Sequence, residues 1–216
     1  METRELNAKL VKAIKTFFAE QGKTKVVLGL SGGIDSALVL SLLCEAIGRE
    51  NVSALLMPNS EITKYSSTKD AEDFAKKLGV KYLVVPVDPV ILAFSGSILW
   101  NQSEIAKANL NARIRAVLLY NYANSFDALV AGTGNKSEFY LGYFTKYGDA
   151  AADFFPIGSL LKTQVRALAA YGKLPKGFLE KVPSAELWKG QEDEKEKYEK
   201  IFTEYYNHIY CFLGGL

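Results

Sequence analysis

The chain has 216 residues, of which 49% are hydrophobic and 23% charged, a composition typical of a globular domain. A net charge of +2 gives no electrostatic reason to expect a nucleic-acid or membrane partner. Two cysteines, Cys44 and Cys211, provide neither a disulfide framework nor a metal-binding spacing. No stretch approaches the roughly 18 apolar residues of a membrane span, and the N-terminus lacks a signal-peptide cleavage site. We therefore expect a cytoplasmic protein with one domain over residues 1–216.

The predicted elements begin with an amphipathic helix over residues 4–20, where Leu6, Leu10 and Ile14 recur at helical spacing. Strands are then predicted at 25–30, 52–58, 81–87 and 128–133, and helices at 34–47, 67–78, 104–123 and 162–171. The strands are apolar throughout and alternate with helices, which is typical of a parallel sheet buried on both faces. The sequence therefore predicts an α/β fold with a doubly wound, mostly parallel sheet and helices on both faces.

Ligands of such folds bind in the loops that follow the carboxyl ends of the strands. The loops in question are predicted at 31–36, 57–66, 88–101 and 132–138. Two polar stretches, 57–66 and 94–104, are candidates for closing over a ligand.

The first of these loops contains Ser31-Gly32-Gly33, between an apolar strand and a helix. Glycines allow a tight turn, and the helix N-terminus offers N–H groups and a positive dipole end to a phosphate or pyrophosphate. The loop is not a Walker A motif, because it lacks that motif's spacing and its lysine. Asp35 would repel phosphates unless a divalent cation such as Mg²⁺ lies between them. The alternative is that Asp35 only caps the helix and the glycines only turn the chain.

The loop SGGIDS resembles the SGGxDS loop of the PP-loop ATP pyrophosphatases, which cleave ATP between the α- and β-phosphates and adenylate an acceptor. Further stretches resemble the ammonia-dependent NAD⁺ synthetases of that superfamily, in the same order: LLMP (55–58), NLNARIR (109–115), GTGNKSE (132–138), GYFTKYGD (142–149), DFFPIG (153–158), KTQ (162–164) and PSAELW (183–188). The resemblance covers roughly residues 25–194 and implies a Rossmann-like sheet of the adenine nucleotide alpha hydrolase type.

The resemblance also implies an activity: amidation of deamido-NAD with ammonia to NAD, with ATP cleaved to AMP and pyrophosphate through an adenylated intermediate. It implies ATP contacts by Gly29, Leu30, Ser31, Gly32, Gly33, Ile34, Asp35, Ser36, Thr133, Lys162 and Ser184. Deamido-NAD contacts are implied for Arg113, Lys146 and Asp153, Mg²⁺ ligands for Asp35 and Glu138, and catalytic roles for Asp35, Glu138 and Lys162. Relatives are homodimers, so a homodimer is expected here as well.

Several of these residues also have a purely structural interpretation. Glu138 could be an exposed surface glutamate, and Arg113 could pair with an acid in the core instead of an anionic ligand. The aromatic rings within 142–154 suit stacking on nicotinate, but equally suit a core or dimer interface. Lys162 opens a predicted helix, where the dipole disfavours a cation, so an anionic partner is expected.

From about residue 195 the C-terminal region is short and departs from the family pattern, and the basic tail of relatives has no counterpart. This departure leaves the completeness of the deamido-NAD site open, and His208 is interpreted as a surface or packing residue. Two alternative functions follow. One is another PP-loop adenylating enzyme, such as a tRNA-thiolating one, although a cysteine pair and a basic patch are missing. The other is a nucleotide-binding homologue without catalysis.

Overall fold

The computed structural model describes residues 2–181. Its helices are α1 (Thr3–Gln21), α2 (Ile34–Ile47), α3 (Tyr65–Leu78), α4 (Asp88–Ser97), α5 (Glu104–Phe126), α6 (Lys136–Leu141), α7 (Lys162–Tyr171) and α8 (Lys176–Glu180), with a 3₁₀ turn at Arg49–Asn51. Its strands are β1 (Lys25–Gly29), β2 (Val52–Leu56), β3 (Lys81–Val84) and β4 (Ala128–Ala131). Ser184, His208, Cys211 and the region from residue 195 lie outside the described residues.

The four strands form one parallel sheet in the order β3-β2-β1-β4, which confirms the predicted parallel arrangement. Val26 of β1 is paired with Val52 of β2 on one side and with Leu129 of β4 on the other. The chain runs outward from β1 to β3 and then returns to place β4 on the opposite side of β1. Such a reversal opens a crevice at the carboxyl ends of the strands, where ligands of open α/β sheets bind.

Helices cover both faces of the sheet, as predicted. Val26 and Leu28 pack into a core formed with α1, α2, α3 and α7, whereas Val27 faces the other core, beneath α5. All three side chains are fully buried. Because alternate side chains of a strand point to opposite faces, burial on both faces requires an uninterrupted apolar run. That requirement explains why β1 and β2 show no polar alternation in the sequence. The edge strand β3 is largely exposed, so the prediction of burial on both faces is wrong for that strand.

Three helices were not predicted, namely α4, α6 and α8. The loop expected at 88–101 is largely helix α4, which begins with Pro89 in its first turn and buries no residue. The usual helix signal is a periodic apolar face that packs on the core. Helix α4 has no such face, and its apolar side chains remain largely exposed. Among residues 2–181, no helix has the length and apolarity needed to cross a bilayer.

Candidate active site

A cavity of about 530 Å³ lies at the carboxyl ends of β1, β2 and β4. Its size is within the range of small-molecule and cofactor pockets. Three of the four predicted loops contribute to its wall: 31–36, 57–66 and 132–138. The fourth, 88–101, contributes no residue, because α4 packs outside the cavity against α5. A ligand contact by residues 88–101 stays a prediction.

The glycine loop has a conformation that only glycine permits at one position. Gly32 has a φ of +79°, and a Cβ there would lie 2.2 Å from the backbone oxygen of Ser67. The two loop serines stabilise the turn, since Ser36 Oγ donates to the Gly33 carbonyl at 3.0 Å and lies 3.1 Å from Ser31 Oγ. The loop is thus preformed and opens directly into the N-terminus of α2.

Asp35 lies in the first turn of α2 and forms an ion pair with Lys162 at the start of α7. The two side chains are only 17% and 20% exposed. Asp35 Oδ1 also accepts a hydrogen bond of 2.9 Å from Asn135 Nδ2. The contacts of Asp35 therefore run to side chains of other elements, and Asp35 is the anionic partner that the position of Lys162 required.

Asn135 connects Asp35 with Glu138. It is the N-cap of α6 and forms a capping box: Asn135 Oδ1 accepts from the Glu138 amide at 3.1 Å, and Glu138 Oε2 accepts from the Asn135 amide at 3.0 Å. Its side chain is fully buried. Sequence reasoning did not single out Asn135, although Asn followed three residues later by Glu, directly after a strand, is the pattern of a capping box.

The two predicted metal ligands, Asp35 and Glu138, are compatible with Mg²⁺. Within residues 2–181 no group of three or more His, Cys, Asp or Glu side chains could hold an ion by itself. Mg²⁺, however, is usually bound by one or two carboxylates together with substrate phosphates and water. Two carboxylates held by hydrogen bonds to the same buried Asn135 supply that donor set. Their role as ligands stays a prediction.

The residues predicted to contact deamido-NAD lie outside the cavity wall. Arg113 is exposed, and its Nε donates to the Lys146 carbonyl at 3.2 Å. One helical turn earlier, Asn109 accepts from Thr145 Oγ1 at 2.7 Å, so the two α5 residues share a face as expected. The described partner of Arg113 is thus a backbone carbonyl and not a core carboxylate.

Asp153 links the segment after α6 to the sheet. Its Oδ2 accepts from the Val130 amide at 2.7 Å, and its Oδ1 accepts from the Tyr120 hydroxyl at 3.3 Å. Proximity to Asp153 and desolvation together raise the pKa of Tyr120, with desolvation the larger cause. Asp153 therefore has a clear structural role, and its predicted contact with deamido-NAD stays a prediction.

Several polar residues were not assigned from the sequence, and two of them, Arg115 and Asp149, line the cavity. Arg115 faces the cavity and donates to the Met57 carbonyl at 3.0 Å, which fixes the end of β2. Asn59 is buried and donates to Asn111 at 2.8 Å, which holds loop 57–66 against α5. Asp149 lies at the cavity wall, where partial desolvation raises its pKa despite a hydrogen bond from the Thr145 amide.

Comparison with known proteins places this geometry in one family. The NAD synthase family model matches residues 6–207. The chain is similar to an NH₃-dependent NAD⁺ synthetase of Archaeoglobus fulgidus, with 50% identity over 85% of this chain and 74% of the relative. It is also similar to an NH₃-dependent NAD⁺ synthetase of Methanocaldococcus jannaschii, with 44% identity over 92% of this chain and 79% of the relative.

Solved structures agree with these relatives. An NMN synthetase of Francisella tularensis superimposes with a TM-score of 0.86 at 37% identity, covering 91% of this chain and 81% of that one. An NH₃-dependent NAD synthetase of Campylobacter jejuni gives a TM-score of 0.79 at 38% identity, with coverages of 94% and 85%. Both share the overall fold of this chain over most of their length.

Proposed function

Because this chain belongs to the NAD synthase family and is a ligase of that family, we propose that it amidates deamido-NAD with ammonia, forming NAD, AMP and pyrophosphate from ATP. The observation that carries the proposal is the joining of the glycine loop to α6 through Asp35, Asn135 and Glu138 at one end of the cavity. This arrangement combines a phosphate-binding turn with two carboxylates, which suits a metal-bound polyphosphate.

Binding of ATP is proposed to use the ATP residues named above, from Gly29 to Ser36 together with Thr133 and Lys162, and Ser184 beyond the described residues. The loop and the N-terminus of α2 would hold the β- and γ-phosphates, which leave together as pyrophosphate. Mg²⁺ held by Asp35 and Glu138 would neutralise phosphate charge. Lys162, now paired with Asp35, would supply a further cation for the same phosphates.

The reaction is proposed to proceed in two displacements. A carboxylate oxygen of the nicotinate attacks the α-phosphorus of ATP, and pyrophosphate leaves. Ammonia then attacks the carbonyl carbon of the adenylate, loses a proton, and AMP leaves with the carboxyl oxygen. The protein positions the reactants, stabilises phosphate charge and excludes water, and no nucleophilic side chain is needed.

A homodimer is proposed because large apolar side chains are exposed on consecutive elements around α4. They lie on β3, α4, the following segment and α5, and comprise Leu83, Val84, Val90, Leu92, Phe94, Leu99, Trp100, Ile105, Val117 and Phe126. Exposed apolar surface of this extent is typical of an interface. Sedimentation equilibrium should give twice the chain mass. Leu92→Glu should shift the measured mass toward that of the monomer, whereas the control Tyr65→Glu should not.

A cytoplasmic location is proposed as well, since ATP and deamido-NAD are the proposed substrates.

A product assay tests the function directly. The purified protein is incubated with deamido-NAD, ATP, Mg²⁺ and ammonium, and the products are separated by chromatography. NAD, AMP and pyrophosphate should form in equal amounts, and a chelator should stop their formation. Release of ADP and orthophosphate would contradict the proposal.

One observation favours a second candidate, in which the acceptor is a mononucleotide. The Francisella tularensis protein is an NMN synthetase, and its TM-score exceeds that of the Campylobacter jejuni NAD synthetase. Amidation of nicotinate mononucleotide would use the same ATP chemistry with a smaller acceptor. Competition between the two acceptors in one reaction distinguishes the candidates, because kcat/KM sets the ratio of the products NAD and NMN.

A further inference from the structure

The glycine loop has no lysine of its own, but the fold brings one to it. Lys181, which follows α8, lies 149 residues from Gly32 in sequence, and its Nζ is 3.2 Å from the Gly32 carbonyl oxygen. The same ammonium donates to Ser67 Oγ in α3 at 2.6 Å. We call the contacts among Lys181, Gly32 and Ser67 the Lys181 bridge.

The packing of α8 places the Lys181 bridge. Phe178 in α8 is buried and its ring lies 5.1 Å from that of Phe74 in α3. Phe74 and Ser67 are seven residues apart, two helical turns, and therefore lie on the same face of α3. Ser67 is fully buried. The lysine is thus directed to the loop by a core contact.

The carbonyl that Lys181 contacts belongs to the peptide between Gly32 and Gly33. In a planar trans peptide the C=O and the N–H point in opposite directions. With the carbonyl directed at Lys181, the Gly33 N–H is directed to the other side, where Ser31 Oγ accepts at 3.3 Å. Ser31, Gly33 and Lys181 line the cavity, whereas Gly32 does not. The Gly33 N–H therefore lies on the Ser31 side of the loop, and the Gly32 carbonyl lies on the Lys181 side.

This orientation matters because a peptide between two glycines rotates easily. Glycine is required at position 32 by the close approach of Ser67, and glycine has no side chain to restrict the backbone. A rotated peptide would present a carbonyl oxygen, and not an N–H, to a phosphate. A hydrogen bond from a charged donor is stronger than a neutral one and restrains the carbonyl.

We propose that Lys181 is a positioning residue that holds the Gly32–Gly33 peptide with its N–H toward the departing pyrophosphate. The role rests on the proposed ATP-dependent amidation, since it assumes that pyrophosphate occupies this loop.

Binding of pyrophosphate alone tests the proposal without requiring turnover. In ¹⁵N-labelled protein, the Gly33 amide resonance should shift when Mg²⁺ and pyrophosphate are added. The shift should be lost or greatly reduced in Lys181→Met and partly restored in Lys181→Arg. Lys176→Met, which changes an exposed lysine at the start of α8, is the matched control and should behave like the unaltered protein. An unchanged Gly33 shift in Lys181→Met overturns the proposal.

Kinetics supply a second readout. Lys181→Met should lower kcat by about 10- to 100-fold, the range for residues that orient a contact group, with a smaller change in the KM for ATP. Ser67→Ala should weaken the same bridge, so the double variant should lose less than the product of the two single losses. If the fold loss of kcat in the double variant instead equals the product of the two single losses, the two residues do not act through a shared bridge. That result would indicate that Lys181 acts on the nucleotide by its charge alone. Product formation by the unaltered protein separates failure of this inference from failure of the proposed function.

Discussion

Two regions of this molecule carry predicted ligand contacts, and they differ in how their polar side chains are held. At the cavity, Asp35 bonds to Asn135 and to Lys162, and the three residues come from different elements and are partly or fully buried. On the outer surface, Arg113 and Asp153 bond mainly to backbone groups. Buried, mutually bonded groups keep their geometry before a ligand arrives, whereas exposed ones depend on what binds over them. The proposed ATP region is therefore preorganised, and the proposed acceptor region is not.

The largest effect is expected from Asp35→Asn. The variant removes the charge that pairs with Lys162 and one proposed metal ligand, so turnover should fall by at least about 100-fold. Pyrophosphate release at saturating deamido-NAD measures the loss. Glu45→Gln, a matched change on the exposed side of the same helix, should have no effect. Full turnover in Asp35→Asn would remove the basis for calling the cavity preorganised.

Asn135→Ala should have the next largest effect. This residue contacts no proposed substrate but orients both carboxylates, and loss of such a residue costs about 10- to 100-fold in activity or metal affinity. The dependence of rate on Mg²⁺ concentration should shift to higher values, which a purely structural loss would not produce. Asn121→Ala, on the exposed side of α5, is the control. An unchanged Mg²⁺ dependence would argue against Asn135 as the orienting group.

Arg113→Ala tests the exposed region. If Arg113 contacts the acceptor, the KM for deamido-NAD should rise by about tenfold while the KM for ATP stays the same, because only uniform binding of one substrate is lost. Steady-state kinetics with each substrate varied in turn measure both values. Arg4→Ala, an exposed arginine on α1, serves as control. A change in the KM for ATP alone would instead assign Arg113 to the proposed ATP region.

The smallest effect concerns Asp149, which lies between the two regions at the cavity wall. Desolvation raises its pKa, so the folded state binds the proton more tightly than the unfolded chain does. The ionised Asp149 lowers the free energy of unfolding. This loss is absent below the ordinary aspartate pKa and develops as the pH rises from that value through the raised pKa. Asp149→Asn should therefore be slightly more stable than the unaltered protein at neutral pH and equal to it in acid. Urea unfolding at several pH values measures the difference in unfolding free energy between the two proteins. A stability gain in Asp149→Asn that grows toward acid would contradict a raised pKa for Asp149.

The sequence by itself determined the alternation of strands and helices, the burial of the central strands β1 and β2 on both faces, and the glycine loop. These features arise from local composition and periodicity, and helices α2 and α7 have the predicted bounds of 34–47 and 162–171. The chemistry of the loop singled out Asp35, the family resemblance added Glu138 and Lys162, and all three residues line the cavity. Local signals failed at α4, which buries no residue and therefore has no apolar face on the core to mark it as a helix.

Only the tertiary structure decided which side chains meet. Asn135 contacts Asp35 across 100 residues of sequence, and Lys181 contacts Gly32 across 149. Both contacts depend on the strand order, which places β4 beside β1, and on the packing of α8 against α3. No local pattern encodes such distances, because they follow from the burial of apolar faces elsewhere in the chain. The contact of Lys181 with the glycine loop is for that reason apparent only in the folded protein.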